Sequence, residues 1–144
     1  MRIVLISCVA KKRKSPSLAR DMYISPLFKG AYQYAKKHLA ADRVFILSAK
    51  YGLLEETDKI EPYNETLNTK PDSEIKEWAS NVLMALSQKT DLQTDEFIFL
   101  AGKKYRKFLI EKSGKMKNTN NDHVSIPLEG LPIGKQLKFY KAHR

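Results

Sequence analysis

Apolar residues along the chain fall into short runs and helical stripes that alternate with one another. Arg2 to Cys8 (RIVLISC), Arg43 to Leu47 and Glu96 to Ala101 (EFIFLA) are near-continuous apolar runs, the pattern of strands covered on both faces. Val124 to Pro127 reads as a fourth strand. Between the runs the period changes to that of a helix. Leu27, Phe28, Ala31, Ala35 and Leu39 form one stripe, opened by Ser25 as N-cap and Pro26 at the first helical position, and closed by Lys36, Lys37 and His38. The strongest stripe runs through Ile75, Trp78, Ala79, Val82, Leu83 and Leu86 after Pro71-Asp72-Ser73, and Trp78 within it is assigned to the core. Tyr105, Phe108 and Leu109 give a short helix its buried side, as Leu137, Phe139 and Tyr140 do for a final one. Strands alternating with helices predict an α/β fold: a single three-layer domain over residues 1–144, with a mostly parallel sheet of about four strands flanked by helices.

The connections carry their own information. Val9 to Ser17 is a basic, turn-rich loop, with Pro16 near the start of a short helical segment leading to Tyr23. Leu53 to Thr69 is acidic and reads as irregular, since Glu61-Pro62-Tyr63 forces extended backbone. A connection that long is functional or disordered, and Tyr63 and Leu67 as anchors favour order. Lys112 to Asp122 is a polar loop carrying Lys115 and Lys117.

Composition narrows the class. A chain of 144 residues suits one core. No apolar run reaches the ~18 residues of a membrane span. MRIVLISCVAKKRK has its charges after the apolar run, the reverse of a secretory signal, so a cytoplasmic location is expected. The single cysteine, Cys8, excludes an internal disulfide, and His38, His123 and His143 lack ligand spacing, so neither a metal nor another cofactor is expected. No signal for an oligomeric state was found. The formal charge of +10 is unevenly spread: residues 1–54 sum to +9, 55–96 to −7 and 97–144 to +8. Convergence of the two basic segments would make a face that attracts phosphates, as in nucleic-acid binding; otherwise the protein is merely basic and soluble.

Candidate chemistry clusters where strands end, which is where open α/β sheets place ligands. The first strand ends in Ser7-Cys8 before Lys11-Lys12-Arg13-Lys14, the second in Ser48-Ala49-Lys50-Tyr51-Gly52, the third in Gly102-Lys103-Lys104-Tyr105. A pocket is expected over the 43–47 strand end, with Ser48 and Lys50 accessible and replaceable at little cost in stability. Cys8 is either a nucleophile, its thiol activated by the adjacent cations, or a small core residue. Ser48, with no histidine nearby in sequence, suits hydrogen bonding to a ligand. Lys50 is a phosphate clamp, a Schiff-base amine or a solvated charge, the first being the best placed. Tyr23 and Tyr63 either stack on a base or close the core. Glu129 is the best carboxylate for acid-base work, against a plain surface role.

The stretches SCVAKKRK, ARDMYISPLFKGAYQYA, ILSAKYGLL, EPYNETL, LAGKKY and PLEGLPIGKQLKF resemble, in that order, the motifs of a small family of bacterial and phage proteins. That family is similar to the YaaA-like group, which includes a peroxide-stress protein and the domain of archaeosine synthase that attaches lysine to a deazaguanine base in tRNA. The resemblance implies a YaaA-like α/β domain handling nucleic acid or its bases. Its signature falls on Ser7, Cys8, Lys12, Tyr23, Ser25, Ser48, Lys50, Gly52, Tyr63, Tyr105, Glu129, Gly134 and Gln136. Relatives carry histidine where this chain has Tyr51, which takes an acid-base group away from that position. The function expected is therefore an enzyme that cleaves or exchanges a bond to a modified nucleobase, free or within DNA or RNA. The alternative is a non-catalytic nucleic-acid-binding module. Lys12 and Lys50 would hold phosphate, Tyr23 and Tyr63 would flank the base, and Ser48 and Glu129 would bond its edge.

Overall fold

The computed structural model describes residues 1–113 and 123–144, so most of the polar loop read over 112–122, with Lys115 and Lys117, lies outside the described residues. The chain opens with strand β1 (Arg2–Ser7), whose Ile3 to Ile6 are almost completely buried. A basic loop leads to a two-residue strand β2 (Ser17–Leu18) and a single helical turn α1 (Ala19–Met22). Helix α2 (Pro26–Lys37) begins as the sequence dictates, with Ser25 Oγ accepting the Phe28 amide at 3.2 Å and Pro26 following the cap. It delivers the chain to β3 (Arg43–Ser48).

The acidic stretch after β3 is more regular than its composition predicts. Gly52–Glu55 forms β4, antiparallel to β3, with Ser48 opposite Gly52 and Phe45 opposite Glu55. Gly52 takes φ +74°, the left-handed turn conformation that a glycine adopts without strain. A second short strand, β5 (Lys59–Ile60), pairs with β2. Charge masked these strands: Glu55 is held by Arg43 and by Lys89 at 2.9 Å, and Glu56 by Lys36 at 2.8 Å. Acids that are paired on a sheet edge read, in sequence, like an irregular surface segment.

Helix α3 (Asp72–Lys89), strand β6 (Glu96–Leu100), helix α4 (Lys103–Ser113), strand β7 (Val124–Ser125) and helix α5 (Ile133–Ala142) complete the chain. Among the described residues the main sheet has five strands in the order β4-β3-β1-β6-β7, parallel except for the β3-β4 pair. This is one more strand than expected, the hairpin partner β4. The core is continuous, and its centre is β1, flanked by Phe45 to Leu47 of β3 and Phe97 to Phe99 of β6. Helix α2 packs on α5 and α3 on α4. Trp78 is half-buried in α3, donating its Nε1–H to the Ser48 carbonyl at 2.8 Å. No helix among the described residues is long and apolar enough to cross a membrane.

Candidate functional site

The strand order fixes where a crevice must open. From β1 the chain moves to β3 on one side; from β3 it returns past β1 to β6 and continues outward to β7. The loops leaving β1 and β6 therefore diverge in opposite directions, and a gap is left between the carboxyl ends of these two neighbouring strands. A cavity of about 830 Å³ fills that gap. Its floor comes from Ile6, Ser7 and Cys8 of the β1 end and Leu100 to Gly102 of the β6 end, joined by the Gly102 amide donating to Ser7 Oγ at 3.4 Å. The starts of α2, α4 and α5 all reach it, and the positive ends of helix dipoles favour an anion there.

The cavity lining is chemically mixed. Lys11, Lys12, Lys103 and Lys104 contribute to it against a single carboxylate, Glu65, which itself faces Lys70 at 3.4 Å. Leu27, Phe28, Ala31, Ile133, Leu137 and Tyr140 add apolar surface, with Gln136 also in the lining. The Gln136 side-chain amide donates to the Leu131 carbonyl at 2.7 Å, which fixes its orientation. The segment from Asn64 to Asn68 walls the mouth, tied down by the fully buried Leu67, whose amide donates to the Tyr105 hydroxyl at 3.2 Å, and by Lys104 Nζ on the Asn68 carbonyl at 3.0 Å.

Cys8 is placed as a small core residue that also borders the cavity. It belongs to the core cluster at 8 % exposure, yet it also lines the cavity floor, where its thiol donates to the Tyr105 hydroxyl at 3.4 Å. Burial, and after it the electrostatic influence of the neighbouring Cys8 sulfur, pushes Tyr105 up to about 12, so this phenol stays protonated at neutral pH. The Lys12 ammonium lies 4.5 Å from the centre of the Tyr63 ring and 5.9 Å from that of Tyr23. Burial holds it below the usual lysine range, and the neighbouring Cys8 sulfur pulls the other way. The basic loop is rigidly seated, with Arg13 N–H donating to the Met22 carbonyl at 2.8 Å and Ile24 N–H to the Lys11 carbonyl at 3.1 Å.

The structure divides the residues expected from sequence into two groups. Cys8, Lys12, Ser25, Gly102, Lys103, Tyr105 and Gln136 line the one cavity. Ser48, Lys50, Gly52, Tyr23, Tyr63, Glu129 and Gly134 do not. The expected pocket over the β3 end is replaced by a closed hairpin. Ser48 is completely buried, its hydroxyl donating to Tyr63 OH at 2.8 Å and accepting the Tyr51 amide at 3.0 Å, so it offers nothing to a ligand. Lys50 is exposed, its ammonium 5.3 Å from the Tyr51 ring centre. Tyr23 is 1 % exposed and joins its hydroxyl to that of Tyr63 at 2.6 Å, so these rings close the core beneath the basic loop and do not flank a base. Burial raises both phenols above the ordinary tyrosine range. Glu129 is exposed and faces Arg106 at 3.4 Å, outside the cavity; Gly134 is exposed at the start of α5.

Sequence reasoning missed Phe28, Asn64, Thr66, Asn68 and Tyr140 as cavity residues. The anchoring of Tyr63 and Leu67 was the signal that the intervening residues are held somewhere definite. Phe28 and Tyr140 gave no separate signal, because in a helical stripe a cavity wall looks like core. No group of three or more metal-ligating side chains occurs among the described residues.

No curated protein matches this chain, and no solved structure matches it. One family model does, over residues 3–142, nearly the whole length: the chain belongs to the family described as "Family of unknown function (DUF6884)".

Proposed function

We propose that this protein is a nucleobase- or nucleoside-directed enzyme that holds a phosphorylated ligand in the crevice between β1 and β6 and cleaves or exchanges a bond to the base. One observation carries the reading: one cavity of about 830 Å³ is lined both by lysines and by apolar side chains, with a fixed amide among them. That volume is within the range of small-ligand sites, roughly 300–1,000 Å³. An anionic group meets Lys12, Lys103 and the helix starts, while a flat apolar ring meets Phe28, Leu137 and Tyr140, with the Gln136 amide oxygen able to read a base edge. Cys8 is the catalytic candidate that remains on the cavity, beside Tyr105 as a hydrogen-bond donor.

The reading assumes the three-layer arrangement. Right-handed crossovers would put α2 on one face of the sheet and α3 and α4 on the other, with α5, which packs on α2, beside it. It also draws on the motif resemblance to the YaaA-like group and on a cytoplasmic location, where nucleotides and nucleic acids are at hand.

The test is incubation of the full chain with modified and unmodified nucleosides, nucleoside monophosphates and oligonucleotides, followed by mass spectrometry of the bases. Lys12→Met removes one charge-assisted contact, worth about 1.5–3 kcal/mol, and should weaken monophosphate binding ~10–100-fold. Cys8→Ser should abolish turnover while binding persists. Binding without any change in base mass favours the non-catalytic module. Absence of binding to every monophosphate refutes the crevice as a nucleotide site.

A further inference from the structure

We propose that a second cavity, also lined by Phe28, is a phosphodiester subsite, so that the crevice takes its base from a single-stranded nucleic acid. The inference rests on the crevice reading above and names its substrate as a polymer. The second cavity measures about 350 Å³ and is bordered by Arg13, Arg20 and Lys29, with one carboxylate, Asp21. Phe28 lines both cavities. The basic loop connects them directly: Lys11 and Lys12 line the crevice and Arg13 the second cavity.

The cations here are available. Arg13 and Lys29 are exposed, and their side chains have no ion pair among the described residues. Arg20 has only a long pairing, 3.8 Å to Glu56, a carboxylate that Lys36 already holds at 2.8 Å. Arg13 and Lys29, with Arg20 shared between this site and Glu56, leave positive charge over Asp21 in a concave site fixed by the backbone bonds of Arg13 and Ile24, which suits a phosphate whose position is constant relative to the crevice. A free nucleoside monophosphate has no second phosphate to offer. A base inside a duplex must leave its stack and its partner to enter a crevice lined by the 64–68 segment and α5, a cost of a few kcal/mol that a single strand largely avoids, so single strands are favoured.

The experiment compares the wild-type chain with the Arg13→Ala/Lys29→Ala double variant, using a labelled mixed-sequence single strand of about 12 nucleotides, its duplex, nucleoside monophosphates and inorganic phosphate. Losing the neutralisation of one phosphate should make the single-strand log-log salt slope shallower by about 0.7 and weaken binding about 5-fold at 0.1 M salt. Monophosphate affinity should not move. Equal losses for strand and monophosphate, no loss for either, or a duplex bound as tightly as the single strand each overturn the proposal. If inorganic phosphate competes for the single strand as well in the double variant as in the wild type, the subsite is absent and the proposal falls. Wild-type protein that binds no monophosphate refutes the crevice reading and the subsite with it; monophosphate binding with inert substitutions refutes the subsite alone.

Discussion

Ser48→Ala is the sharpest test of the hairpin geometry, because sequence and structure give opposite expectations for it. On the sequence the hydroxyl faces a ligand and its loss spares the fold. In the structure it is completely buried, donates to Tyr63 OH at 2.8 Å and accepts from the Tyr51 amide at 3.0 Å. Alanine deletes both bonds. Tyr63 keeps its 2.6 Å partner Tyr23, but the Tyr51 amide has no second partner among the described residues. At about 1 kcal/mol per bond, with an added penalty for the stranded amide, the cost is about 2–3 kcal/mol. For a chain of this size that lowers the thermal midpoint by roughly 5–10 °C. Lys50→Ala, two residues along and exposed, should stay within about 0.5 kcal/mol of wild type. Urea unfolding of Ser48→Ala, Tyr63→Phe and the double variant measures the pair directly, with a coupling of about 1 kcal/mol expected. Because Tyr63 precedes the Asn64–Asn68 wall, Ser48→Ala should also weaken ligand binding in the crevice. A Ser48→Ala midpoint equal to that of Lys50→Ala would refute the reasoning.

Two further predictions concern packing and pH. A Cβ added at Gly30 would lie 2.7 Å from Tyr140 Cβ, an atom fixed to the α5 backbone, so α2 and α5 must separate. Overpacking at about 1–3 kcal/mol outweighs the ~1 kcal/mol that alanine gains in helix propensity; Gly30→Ala should unfold at lower urea and loosen the apolar lining of the crevice, and a stabilised variant would contradict the contact. In alkali, Tyr105 is raised by burial from 10.0 to about 12, so its contribution is whole below pH 10 and lost as pH rises to about 12. That loss is roughly 2 kcal/mol, and the burial-raised Tyr23, Tyr63 and Tyr140 add to it. Urea midpoints should be flat up to pH 10 and fall beyond it; a midpoint that rises there would reverse the sign of the argument.

What the sequence determined by itself was the long apolar runs and the helix starts, which depend on local pattern. The apolar runs at 2–8, 43–47 and 96–101 became parallel strands because Ile, Val and Phe in succession have no polar face to turn to water. Ser25 and Pro26 started α2 where a cap and a fixed φ require it. Cys8, Lys12 and Lys103 could be nominated because they follow buried strands. Tertiary structure alone decided which strand ends share a crevice. Ser7-Cys8 and Gly102-Lys103 look no more site-like in sequence than Ser48-Ala49-Lys50, but β1 and β6 lie side by side with diverging loops, whereas β3 turns straight back as a hairpin and buries its serine. Strand order depends on how helices α2 and α3 cross the sheet, a long-range choice that no stretch of residues encodes locally. The same holds for Phe28: its position in a helical stripe marks it as buried, and only the packing of α2 against α5 makes the surface it covers the wall of a cavity.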